Sequence, residues 1–194
     1  MEEIPMNPYN DNILIASILQ KHLEMPVETW VQDVKEPLKP FIKFLQTTMA
    51  KSASRLKQSA PYNSNTRQRQ CFMQVRWQYL HEKLTPVAQK NMSVVVRIGD
   101  YREEGTHTIF WGMNWWGNSN DVMHVFHLFE KIKNGYELLL PDKCSRGAGV
   151  QAVFLLSKRY TSEQVLALDH DIKEEIVPDL VHLTDKMTEM LNTL

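Results

Sequence analysis

Cysteine is scarce in this chain. Cys71 and Cys144 are its only two in 194 residues, they lie far apart, and neither belongs to a CxxC pair. That excludes a disulfide scaffold and suits a reducing compartment. Long apolar runs are missing too. The first, Ile13 to Leu19, falls well short of the roughly 20 residues of a spanning helix, and no basic flank precedes it as in a secretory signal. The expectation is a soluble, cytoplasmic protein. Catalytic signatures are also lacking: there is no GxSxG, P-loop, GxGxxG or HExxH motif. A carboxylate–lysine nuclease would need acidic residues on neighbouring strands. Pro141-Asp142 follows one candidate strand, but Val150 to Leu156 beside it carries no carboxylate. The sequence therefore leans away from an enzyme and assigns no catalytic residue, metal ligand or cofactor.

What is present is ordinary globular material, 43% apolar and 23% charged. A chain of this length fits one domain, which buries roughly 70% of its unfolded surface without a staple. We read residues 1–194 as a single domain, mainly helical over 1–90 and mixed over 91–194. Net charge is −1, but it is unevenly spread. Residues 43–90 hold nine basic side chains against Glu82 alone, whereas 161–194 hold eight acids against Lys173 and Lys186. Such asymmetry points to a polyanionic partner for the basic part, or to mutual neutralisation of the two segments.

Periodicity sets out the elements. Asp11 or Asn12 is placed to cap a helix carrying Ile13, Leu14, Ile18 and Leu19, and two further helical stretches follow from Pro26 and from about Pro40. Residues 52–66 read as a polar, basic loop. A helix is then expected from Asn65 or Thr66 to about Lys83, with Phe72, Val75, Tyr79 and Leu80 on one side, and Thr85-Pro86 opens a further short turn. After Asn91 the period changes to two. Val94, Val96 and Ile98 alternate with Ser93, Val95 and Arg97, and Thr106 to Trp116 alternates likewise, predicting a hairpin. A helix from Ser119, Asn120 or Asp121 to Asn134-Gly135, strands at Tyr136 to Leu140 and Val150 to Leu156, and closing helices from about Ser162 complete the pattern. The predicted fold is α+β: a helical N-terminal layer packed on a small antiparallel or mixed sheet of about four strands, closed by C-terminal helices.

The expected helix over 66–83 carries the most chemistry. On a helix Arg69, Arg76 and Lys83 recur every seven residues along one face, with Gln70, Gln74 and Gln78 along another. Arg and Gln can pair with base edges, and Arg and Lys neutralise phosphates. Arg55, Lys57 and Arg67 extend the basic surface. The tryptophans are concentrated at Trp111, Trp115 and Trp116. Trp111 and Trp115 share a strand face with His107, Ile109 and Met113, as core would. Gly112 between them leaves room for a close approach to the backbone. Trp116 precedes Gly117-Asn118, where the chain is expected to leave the sheet with the ring free to stack on a base.

Two other patterns bear on function. His124 and His127 lie opposite the apolar side of their helix, and nothing in the spacing supplies further metal ligands. Ile176, Leu180, Leu183, Met187 and Met190 form a short heptad seam that either docks on its own domain or serves a protein partner or self-association. The sequence thus favours a non-catalytic nucleic-acid-binding domain using Arg55, Lys57, Arg67, Arg69, Gln70, Arg76, Lys83 and Trp116. An interaction module built on the acidic C-terminal helix is the alternative, and an unrecognised hydrolase or nuclease comes third. No membrane association is expected.

Overall fold

The computed structural model describes residues 9–21, 31–56, 61–62, 71–76, 84–100, 107–139 and 150–194. Helix α1 (Asn10–Gln20) is followed by a π-helical turn (Val31–Lys35) and helix α2 (Lys39–Leu56). Next come strands β1 (Pro61–Tyr62) and β2 (Cys71–Arg76), then helix α3 (Pro86–Asn91). The hairpin consists of β3 (Met92–Asp100) and β4 (His107–Asn118). Helix α4 (Ser119–Ile132), strands β5 (Glu137–Leu139) and β6 (Val150–Tyr160), short helix α5 (Ser162–Leu166) and helix α6 (Lys173–Asn192) complete the order. The class is α+β. All strand pairs are antiparallel, and the sheet runs β1-β2-β3-β4-β6-β5. No described helix is long and apolar enough to cross a membrane.

Strand alternation decides the faces. Val94, Val96 and Ile98 of β3, Ile109, Trp111, Met113 and Trp115 of β4, and Val153 and Leu155 of β6 are buried together. They share one cluster with Ile15 of α1, Phe41, Leu45 and Met49 of α2, Val125 and Phe129 of α4, and the inner side of α6. A sheet covered by helices on one face is the usual antiparallel solution. The buried indoles also satisfy their polar atoms: Trp111 Nε1 donates to Asp179 at 3.2 Å and Trp115 Nε1 to the Ala88 carbonyl at 3.1 Å. Val95, Phe110, Phe154 and Leu156 form a second, smaller cluster on alternate positions of the same strands.

β6 carries one residue more than β4 between the pairs Gly112–Leu156 and Trp111–Lys158. The bulge lets consecutive Ser157 and Lys158 both reach Asp179 of α6. Gly112 sits beside it because a Cβ there would run into the Leu155 carbonyl of β6. The close approach anticipated at this glycine is thus made by a neighbouring strand.

Several expectations need correcting. Residues 71–76 are strand, not helix. Phe72 and Val75 fit a helical period, but Cys71, Met73 and Val75 equally fit a period of two, and pairing with β3 satisfies the backbone of that strand. The loop expected over 52–66 is helix up to Leu56, and Pro61–Tyr62 within it pair with β2; 57–60 and 63–66 lie outside the described residues. Among the described residues the sheet has four longer strands, in keeping with the expected number, with short β1 and β5 added at its edges. Asn12 does not cap α1; the N-cap is Tyr9, whose side chain makes no capping hydrogen bond. α4 is capped by Asn118, whose Oδ1 accepts from Asp121 N at 3.1 Å, ahead of the three residues expected there. Of the stretch expected to be helical from Pro26, residues 26–30 lie outside the described residues and Val31–Lys35 form the π-helical turn. Two caps follow the sequence reading: Thr85 Oγ1 accepts from Ala88 N at 3.2 Å, and Thr161–Gln164 close a capping box.

Candidate nucleic-acid interface

On the face opposite the helices, alternation places Ser93 and Arg97 of β3 with Phe110, Asn114 and Trp116 of β4, Ser93 directly opposite Asn114 and Arg97 opposite Phe110. The Arg97 guanidinium lies over the Phe154 ring of β6, 5.9 Å from its centroid, and Phe154 meets Phe110 edge-on at 5.7 Å. The buried Asn114 amide, oriented to satisfy both its atoms, accepts Trp116 Nε1–H at 2.7 Å and Arg97 Nη2–H at 3.2 Å. It donates to Ser93. Arg97 makes no ion pair with a described residue, and its buried Nε has no hydrogen-bond partner among them. Trp116 remains half-buried although β4 continues past it to Asn118, opposite Val150. The expectation that the chain leaves the sheet at Trp116 is corrected; its partial exposure holds. A guanidinium stacked on one ring and tied to a second, half-exposed one can contact a phosphate and a base together.

Of the other sequence-selected residues, two fall within described elements. Arg76 ends β2, its register position opposite Ser93, which is in turn opposite Asn114. Arg55 lies near the end of α2. Lys57, Arg67, Arg69, Gln70 and Lys83 lie outside the described residues. With 71–76 extended, the seven-residue spacing of Arg69, Arg76 and Lys83 no longer defines a helical face. Sequence reasoning does not group Arg97, Asn114 and Ser93, although a signal exists: three polar residues on the strand positions that alternate with the aromatic core.

Part of the acidic segment is paired within the chain. Glu175 of α6 accepts from Lys158 Nζ and Tyr160 OH, both at 2.9 Å, and contacts His170 Nε2. His170 Nδ1 lies 2.8 Å from Asp169, and Lys173 pairs with Asp11 at 2.6 Å and Asp171 at 3.2 Å. Burial raises the Tyr160 phenol, and the Glu175 bond adds to it, reaching about 12. Burial also pushes the Glu175 carboxyl up, but the bonds from Lys158, Tyr160 and His170 outweigh it and hold the group below its ordinary value. Asp169, with Glu175 behind it, raises His170 above its ordinary value. A raised His170 contributes stability fully below its unfolded value of about 6.5 and loses it as pH climbs through the folded value. A lowered Glu175 contributes above its unfolded value of about 4.3 and loses it as pH falls through the folded value. Melting temperature should therefore decline at the alkaline side of the histidine range, and His170→Asn should flatten that limb. Identical alkaline limbs in melts of both proteins would show that this contact adds nothing.

Ile176, Leu180, Leu183 and Met187 are wholly buried inside the chain, and Met190 is partly buried against the same cluster. The heptad seam docks on its own sheet and helices and is not free for a partner. His124 and His127 are exposed, and among the described residues no three His, Cys, Asp or Glu side chains gather as a metal site requires. No protein-family model matches this chain, and no significant match was found among curated proteins or solved structures.

Proposed function

We propose that this α+β chain is a non-catalytic nucleic-acid-binding domain whose contact surface includes the sheet face around Arg97 and Trp116. The observation that carries the reading is the Arg97 guanidinium, stacked on Phe154 and bridged through Asn114 to a half-buried tryptophan, with no carboxylate among the described residues to neutralise it. The strongly basic composition of residues 43–90, which includes β2 alongside β3, supports the same reading. Aromatic rings on a sheet stack unpaired bases while basic side chains follow the backbone.

Fluorescence anisotropy with single- and double-stranded DNA and RNA tests this across salt concentrations. Affinity should fall with a log–log slope of about −0.7 per phosphate contact on single strands and about −0.9 on duplex. Trp116→Ala should weaken binding by about one to two powers of ten, as loss of one stacked base does, with little change in melting temperature. Arg97→Glu should bring binding to the detection limit. Wild-type protein that binds none of the four nucleic acids at low salt overturns the proposal.

A further inference from the structure

A second surface lies on the helix-bearing side of the molecule, at the β5–β6 end of the sheet. The end of α4, the following turn, β6 and α6 enclose a cleft of about 540 Å³. That volume is in the range of small-molecule sites, roughly 300–1,000 Å³. Its cationic lining is Lys131, Lys158 and Lys186. Asp179 is the lining carboxylate, and it is already engaged by Trp111, Ser157 and Lys158. Lys131 makes no ion pair with a described residue, and Lys186 has only the exposed Glu189 at 3.0 Å among them. Tyr136 and His182 stand together in the wall, ring centroids 6.4 Å apart and tilted by 41°.

This arrangement comes from the backbone. Gly135, in the left-handed region at φ 87°, ends the α4 segment, and Tyr136 N closes the turn on the Lys133 carbonyl at 2.7 Å. Tyr136 is thereby set across from His182 of α6. The β6 bulge delivers Lys158 to the same side. We propose that the cleft binds a nucleoside diphosphate, its phosphates held by Lys131, Lys158 and Lys186 and its base against Tyr136 and His182. Lys158 is shared with Glu175 and Asp179, and among the described residues Lys186 meets only the exposed Glu189, so Lys131 and Lys186 supply the uncommitted charge. That favours an anionic ligand, whereas an apolar one would bury Lys131 unpaired. An aromatic wall beside these lysines adds a place for a ring. Burial, then Asp179, raises the Tyr136 phenol above its ordinary value.

Isothermal titration of the full chain with ADP, adenosine and inorganic pyrophosphate tests the proposal. ADP should bind at least about tenfold more tightly than adenosine, since charge-assisted bonds to phosphate are the stronger ones. The double variant Lys131→Glu/Lys186→Glu, at two exposed positions, should lose about tenfold or more in ADP affinity. Lys133→Glu, outside the lining on the same segment, should bind as wild type does. His182→Ala should weaken ADP while leaving pyrophosphate unchanged. No heat with ADP up to millimolar concentration overturns the proposal, as does ADP affinity unchanged in the double variant with an unchanged melting temperature.

Discussion

Trp111→Ala is expected to destabilise the chain by about 3–5 kcal/mol, the range for deleting a large aromatic side chain from a core. Trp111 is fully buried at the centre of the longest strand pairings, on the face that the helices cover. Its loss also leaves Asp179 without the indole donor and Tyr160 without the ring 5.8 Å away. The second effect adds to the first, because among the described residues Asp179 would keep only Ser157 and Lys158. Urea denaturation followed by circular dichroism gives the difference. Trp116→Ala, half-buried on the opposite face, should change stability little in the same experiment. Equal losses for the two would mean that the faces are assigned wrongly.

A chain ending at Val177 is expected not to fold. It lacks Leu180, Leu183, Met187 and Leu191, all wholly buried. At about 1.5–3 kcal/mol for each fully buried side chain, their loss is on the order of 10 kcal/mol, against roughly 5–15 kcal/mol for the whole stability of a typical domain. The truncation also removes Asp179, the acceptor for Trp111. Far-ultraviolet circular dichroism and sedimentation would report a largely unfolded or aggregated species. A folded, monomeric truncated chain with a cooperative melt would show that α6 is dispensable for the core.

The parts of this fold that are legible in the sequence are those where one period dominates. Val94, Val96 and Ile98, and Ile109, Trp111, Met113 and Trp115, carry the period of two, and the core face read from them is the one observed, although Val95 and Phe110 on the other face are buried as well. The capping box at Thr161 is legible because its bonds are local. The segment over 71–76 misreads for the opposite reason. Phe72 and Val75 satisfy two periods, and a pairing partner about 20 residues downstream decides between them. Asn12 misleads in a similar way: at the start of a helix its side chain reads as a cap, whereas the fold uses it for a distant partner. For the candidate interface, Trp116 can be singled out by its place at the end of an aromatic run. Arg97 and Asn114 can be grouped with it only once the strand register is known, because hydrogen-bonded neighbours in a sheet are separated in sequence.

The Asn12 contacts bear on how the chain assembles during synthesis. Asn12 Nδ2 donates to the His170 carbonyl at 2.7 Å, and its Oδ1 accepts from Ile172 N at 2.8 Å, with Tyr9 and Lys173 adding bonds across the same gap. Every one of these ties joins residues 9–12 to residues 169–173. On a ribosome adding about 5–20 residues per second, α1 emerges long before the backbone groups that hold it exist. Until then its buried residues, Ile15, Ala16, Ile18 and Leu19, have no C-terminal segment to close over them. The entropy of closing so long a loop grows only logarithmically with its length, so the delay, more than the thermodynamic penalty, is what separates the two ends. α1 is therefore an element that docks late, and in the nascent chain its apolar side is a natural target for chaperones.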